Sequence, residues 1–166
     1  MTLFKNRRPV ADDWSRIADD ETIGDRTVLS WSRWQQTSAA AHPSHWRLGV
    51  SLTADEASGI ELAALAHLDL IVIHFAKFTD GRAYSIARLL RETHNYQGEL
   101  RATGDVLIDQ IPLLERCGFD SFEIAHAPTR RILLGHQLTE LATAYQPAVH
   151  AAAPMRPTLQ RRMRTA

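Results

Sequence analysis

The sequence predicts an α/β protein, a single domain built on a mainly parallel sheet of about five strands. Three observations point there. Short apolar, β-branched runs alternate with segments of helical spacing from residue 46 to 145. One run, Leu70-Ile71-Val72-Ile73-His74-Phe75, is almost continuously apolar, as expected for a strand covered on both faces. The length, 166 residues, suits one domain with a core that hides about two-thirds of the unfolded surface. Strands joined by helices need crossover connections, which are right-handed and give parallel pairs. About five strands are too few for a complete barrel, which leaves a flavodoxin-like open sheet or half-barrel-like βα repeats.

Residues 1–26 are polar and charged and read as an N-terminal arm, with a weak strand-like alternation over Trp14-Ser15-Arg16-Ile17-Ala18. All four tryptophans (Trp14, Trp31, Trp34, Trp46) fall in the first 46 residues. Without basic neighbours along a groove they suit anchors for the arm better than a stacking platform for bases. The α/β domain is expected over 27–147. Thr27-Val28-Leu29-Ser30 reads as a short strand, and 31–41 as a helical or irregular connection. Pro43 marks a loop between His42 and His45. Trp46 to Leu52 is strand-like, and Thr53 with Glu56 has the capping-box spacing for a helix running to about His67.

After the strand at 70–75, a helix is expected from about Arg82 to His94, then a strand at Leu100-Arg101-Ala102-Thr103. Val106 to Cys117 reads as a helix closed by Gly118, with a kink or a later start, nearer 109, imposed by Pro112. Phe119 to Ile124 is the last strand and Ile132 to Tyr145 the last helix. Residues 148–166 carry Arg156, Arg161, Arg162 and Arg164 without an acid and are expected to be a disordered basic tail.

Composition narrows the function classes. Apolar and charged shares of 45% and 23% are those of a globular chain. Lys plus Arg and Asp plus Glu balance at 19 each, so there is no global basic field and no nucleic-acid partner is expected. No apolar run approaches the roughly 18–20 residues of a membrane span. The basic start, Met1 to Pro9, lacks the apolar stretch of a secretory signal, and Cys117 is the one cysteine. The cytoplasm is the expected compartment. One thiol also excludes a disulfide framework or a Cys-built metal cluster from this chain alone.

Two loops at the carboxyl ends of predicted strands carry unusual polar density, where α/β proteins collect ligands. The first is Lys77-Phe78-Thr79-Asp80-Gly81-Arg82. Asp80 or Thr79 sits where an N-cap belongs, but capping does not explain Lys77 and Arg82, because cations oppose the helix dipole there. They call for an anion, either a ligand or an acidic neighbour such as Asp105. The second loop is Thr103-Gly104-Asp105, with Asp109-Gln110 one turn on. Asp105 is an expected N-cap, and Asp105 and Asp109 four residues apart share a helix face. Capping and the helix dipole explain both acids; acid–base work or a divalent cation would as well. His74 reads as a hydrogen-bonded core histidine, Cys117 as a packed small hydrophobe, and His42 with His45 as a loop pair lacking a third metal ligand. No metal site is expected, and no cofactor motif is visible: there is no G-x-G-x-x-G, Walker A loop, H-E-x-x-H or G-x-S-x-G.

At these same residues the chain resembles the bacterial domain of unknown function family 934. The resemblance rests on Phe75-Ala76-Lys77-Phe78-Thr79-Asp80-Gly81-Arg82-Ala83-Tyr84-Ser85 and on Gly98-Glu99-Leu100-Arg101-Ala102-Thr103-Gly104-Asp105-Val106. It continues through Asp109-Gln110, Arg116 to Asp120 and Ala144 to Pro147. The chain departs from the family pattern at Ala76 (usually Pro), Ala83 (usually Gly) and Pro112, and from Ala125 to Gly135. Members are often labelled as an oxidoreductase of sulfite reduction, which implies a pathway rather than a reaction.

Two readings follow. The resemblance implies an accessory protein of assimilatory sulfite or sulfate reduction, acting through contact with sulfite reductase or another reductase of that pathway. The missing cofactor motif agrees, since two-electron chemistry without a cofactor would need cysteine. The alternative is an enzyme or small-oxyanion-binding protein of sulfur metabolism. Its site would use Lys77, Asp80, Arg82, Arg101, Asp105, Asp109 and Gln110 at one end of the sheet.

Overall fold

The computed structural model describes residues 1–37 and 43–135. It confirms the α/β class and enlarges the sheet. Eight strands form one mixed sheet, not about five parallel ones. They are β1 (Thr2–Lys5), β2 (Arg8–Val10), β3 (Ser15–Arg16), β4 (Thr27–Ser30), β5 (Leu48–Thr53), β6 (Leu70–Phe75), β7 (Glu99–Gly104) and β8 (Ser121–Ile124). The order is β2-β1-β8-β7-β6-β5-β4-β3. β3 to β8 run parallel, each beside its sequence neighbour, while β1 pairs antiparallel with β8 and β2. This sequential order is that of barrel-type winding and departs from the flavodoxin-like order.

The three added strands all come from the segment expected as an arm. β1 and β2 are four and three residues long, too short for a two-residue period to register, while β3 falls within the weak alternation read over Trp14 to Ala18. Leu3 and Phe4 are both buried, because the strand lies between β2 and β8 with both faces covered.

Chain connectivity forces the sheet to curl. β2 and β3 lie at opposite edges, yet only residues 11–14 join them. Laid flat, eight strands would separate these edges by about 34 Å at about 4.8 Å per gap. The link from Val10 to Ser15 can reach about 17 Å when fully extended. The edges must therefore approach. Arg16 of β3 accordingly reaches across and pairs with Glu123 of β8.

The helices cover the convex face. They are α1 (Trp31–Gln36), α2 (Ala54–Ser58), α3 (Arg82–Arg88), α4 (Ile111–Cys117) and α5 (Ala127–Leu134). Along β6, Ile71, Ile73 and Phe75 point into the main core with Ala83, Ile86 and Leu114 of the helices. Leu70 and Val72 point the other way, onto a small concave cluster with Val28, against which Trp14 packs. Trp14 thus anchors the arm, while Trp31 and Trp34 pack α1 on the main core.

Local signals explain where the helices stop. The Thr53–Glu56 capping box is present in both directions, with Thr53 N–H to Glu56 Oε2 at 2.7 Å and Glu56 N–H to Thr53 Oγ1 at 3.2 Å. Gly59 ends that helix, and a 3₁₀ turn, Leu62–Leu65, replaces the rest of the helix expected to His67. α3 continues as a π turn over Leu89–Thr93. Pro112 sits in the first turn of α4, where its missing N–H costs no bond, so the helix takes the later start expected from it, at Ile111 after the 3₁₀ turn Ile108–Gln110. Gly118 closes α4 at φ 105°, and a Cβ there would meet Arg91 Cγ at 2.6 Å. α5 starts earlier than expected, at Ala127; its expected continuation to Tyr145, the tail 148–166 and His42 lie outside the described residues.

Candidate functional site

Two loops leave the carboxyl ends of β6 and β7 and brace one another. The backbone of Phe78 is held on both sides. Its N–H donates to Asp105 Oδ2 at 3.0 Å, and its carbonyl accepts from Gln110 Nε2 at 2.6 Å. Gln110 is itself fixed, its Oε1 accepting from Leu107 N–H at 3.0 Å. The turn is tightened by Asp80 N–H to Lys77 O at 3.1 Å and Asp105 N–H to Phe75 O at 2.9 Å. Asp105 is thus not the expected N-cap: its carboxylate serves the neighbouring loop, and α4 starts six residues later. With the main chain committed, the Phe78 side chain stands 47% exposed.

Arg82 is exposed, but its guanidinium is engaged by carboxylates of the chain itself. It donates to Asp80 through Nε at 2.9 Å and Nη2 at 2.7 Å, and its Nη1 pairs with Asp55 of α2. Asp80 also accepts Arg82 N–H at 3.1 Å, so the acid caps from one residue before the cap position occupied by Gly81. The Arg82 guanidinium holds the Asp80 carboxyl below its ordinary range. Asp55 was not legible as a partner, because it lies 27 residues upstream on a different βα unit.

Lys77 is different. Its side chain is exposed and has no hydrogen-bond or ion-pair partner among the described residues. It lines an open cleft of about 380 Å³ with Asp55, Ala76, Thr79, Asp80 and Arg82. Asp109 is exposed on the 3₁₀ turn beyond Asp105.

Arg101 does not join these loops. It lies on the concave face, 1% exposed, with Nη1 on Asp12 at 2.7 Å and Nε and Nη2 on Glu99 Oε1 at 3.1 and 3.0 Å. Glu99 also accepts from Ser121 at 2.6 Å and Lys5 at 3.2 Å. Burial pushes the Glu99 carboxyl up, but Ser121, Arg101 and Lys5 outweigh it and hold it below its ordinary value. Because Asp12 lies in the link between the two sheet edges, Arg101 fastens the curl. The signal for this was the alternation Glu99-x-Arg101-x-Thr103 against Leu100 and Ala102, which marks one polar strand face.

Cys117 is buried, and desolvation pushes its thiol up, away from the reactive thiolate. Among the described residues no group of three or more His, Cys, Asp or Glu side chains is placed to hold a metal ion, and no helix is long and apolar enough to cross a membrane.

The model of the family described as "Bacterial protein of unknown function (DUF934)" matches residues 49–156. The chain belongs to this family. The DUF934 match takes in both braced loops, all of β5 but its first residue, and β6 to β8, while β1 to β4 and the Asp12 link precede it. No curated protein and no solved structure matches the chain.

Proposed function

We propose that this DUF934 protein is an accessory protein of assimilatory sulfite or sulfate reduction that docks onto a reductase through the loop 76–82. The observation that carries the docking reading is Phe78, held by hydrogen bonds on both sides of its main chain while its ring faces solvent. An aromatic anchor on a pre-ordered loop gives up little entropy on binding, and such residues dominate interface energetics. Lys77 stands beside it as an uncommitted charge. The pathway, with sulfite reductase as the first partner to try and the cytoplasm as the place of action, rests on the family resemblance.

The Arg82–Asp80–Asp55 network argues against the polar loops being an anion site, since the guanidinium already has two carboxylates. The small-oxyanion reading keeps one observation in its favour, Lys77 at the mouth of the cleft. Co-purification with the reductase separates the two. Docking predicts a complex that Phe78→Ala disrupts; an oxyanion site predicts thermal stabilisation by sulfite or sulfate that Lys77→Ala abolishes. A protein that neither binds a reductase nor responds to these anions would remove both readings.

A further inference from the structure

The histidines at the two ends of β6 both lie at the surface: His74, expected in the core, is exposed, and so is His67. Their surroundings differ. His67 borders an open cleft of about 320 Å³ at the amino ends of β5 and β6, lined also by Trp34, Trp46, Leu48 and Asp69.

Each wall of the cleft has a local cause. Trp46 and Leu48 are two residues apart in extended chain and so share a face, and the Trp46 N–H donates to Pro43 O at 3.0 Å. The register of Gly49 with Leu70, taken one step back, sets Asp69 beside Leu48, about 4.8 Å away on that same face. Asp69 is fixed there by Leu48, its N–H donating to Leu48 O at 3.0 Å and its Oδ2 accepting Leu48 N–H at 3.3 Å. Trp34 comes from α1, and its ring lies 5.6 Å from the His67 imidazole, tilted by 36°.

The fold itself leaves two of these side chains unused. Trp46 is half-buried yet, unlike the other three tryptophans, packs on neither hydrophobic cluster of the described residues. Asp69 is exposed, and its carboxylate forms no ion pair and accepts only the Leu48 N–H among the described residues. The neighbouring cations do not supply a partner. Arg33 of α1 donates to the carbonyls of Ala18 and Glu21, and Arg47 falls on the opposite strand face and does not line the cleft. A carboxylate with free lone pairs takes N–H donors, and indole faces attract cations. A guanidinium meets both demands, being planar, weakly hydrated and rich in donors; a quaternary ammonium would suit the rings but donates nothing to the acid.

We propose that this cleft binds a guanidinium group, stacked on the Trp46 indole and hydrogen-bonded to Asp69, with Trp34 and His67 completing the aromatic wall. The site lies at the opposite end of β6 from the Phe78 loop and does not depend on the docking reading. The group arrives either on a small guanidino compound or on an arginine of this chain beyond residue 135, where Arg156, Arg161, Arg162 and Arg164 lie.

The test is an NMR titration of the full chain with methylguanidinium chloride below denaturing concentrations. Tetramethylammonium chloride and sodium chloride at equal ionic strength are the controls, and the readout is the indole N–H resonances, assigned through Trp34→Phe and Trp46→Phe. The expected result is a saturable shift of the Trp34 and Trp46 indoles with methylguanidinium alone. Asp69→Asn keeps an oxygen for the Leu48 N–H and should weaken binding roughly tenfold, the loss of one charge-assisted hydrogen bond. Trp46→Leu removes the stacking face without touching the core and should weaken binding several-fold, read at Trp34. Replacing Arg156, Arg161, Arg162 and Arg164 together by Gln separates the two sources. If one of them occupies the cleft, the Trp46 resonance moves in this variant and methylguanidinium binds it more tightly; if the ligand is a separate molecule, both stay as in the native chain. No saturable shift in either the native chain or this variant, an equal shift with tetramethylammonium, or undiminished binding to Asp69→Asn would overturn the proposal.

Discussion

Replacing Arg101 by Met asks how much the curl owes to one buried guanidinium. The side chain is 1% exposed and makes three hydrogen bonds to two carboxylates. Removing one partner of a buried ion pair costs about 3–5 kcal/mol, mostly from the charge left behind. Here the lower end applies. Glu99 keeps Ser121 and Lys5, and Asp12, a third exposed, can turn to water. The expected loss is about 3 kcal/mol, which at a urea m-value of about 2 kcal/mol/M moves the midpoint down by about 1.5 M. Asp12→Asn keeps the shape and removes one charge-assisted bond at a wetter position, and should cost about 1 kcal/mol. Equilibrium urea unfolding followed by tryptophan fluorescence measures both, because Trp14 packs on the same concave cluster. If Arg101→Met unfolds no earlier than Asp12→Asn, Arg101 does not fasten the curl.

Glu99 makes stability pH-dependent. Its carboxyl is depressed in the folded state, so it contributes stability above its unfolded value of about 4.5, and that contribution is lost as pH falls through the folded value. Urea midpoints measured from about pH 5 to 3 should fall in the native protein and fall less steeply in Glu99→Gln. Cys117→Ser should leave reductase binding and complementation intact, since the thiol is buried and held protonated; loss of function in a stably folded variant would contradict this. Asp105→Ala removes the acceptor of the Phe78 N–H, and hydrogen exchange at that amide should speed up roughly tenfold while the sheet amides stay protected.

The βα rhythm from residue 46 onward was legible because β5 to β8 carry apolar faces long enough to show a period, and β6 to β8 are indeed adjacent and parallel. Single residues with fixed stereochemical roles were legible too, as Gly118 and the Thr53–Glu56 box show. What escaped depends on long-range closure. β1 and β2 are too short to carry a pattern, β3 left only a weak alternation, and only the pairing of β1 with β8 makes Leu3 and Phe4 core residues. Arg101 was grouped with Lys77 because both belong to neighbouring strand units. Nothing local tells that it faces the inside of a curl, where Asp12, 89 residues away, meets it. The braced loop was half legible. Its polar residues stood out, but the residue they serve, Phe78, looked like an ordinary apolar position.

The docking account turns on that aromatic. The most direct measurement is the affinity between the purified protein and purified sulfite reductase, by calorimetry, for the native chain, Phe78→Ala and Asp105→Ala. Phe78→Ala, a truncation at a solvent-facing ring, should leave the urea midpoint unchanged yet cost at least about 2 kcal/mol of binding, the scale of an interface hot spot. Asp105→Ala, which frees the loop without touching the ring, should cost less, through ordering entropy alone. A native complex whose affinity is the same in Phe78→Ala would contradict the account.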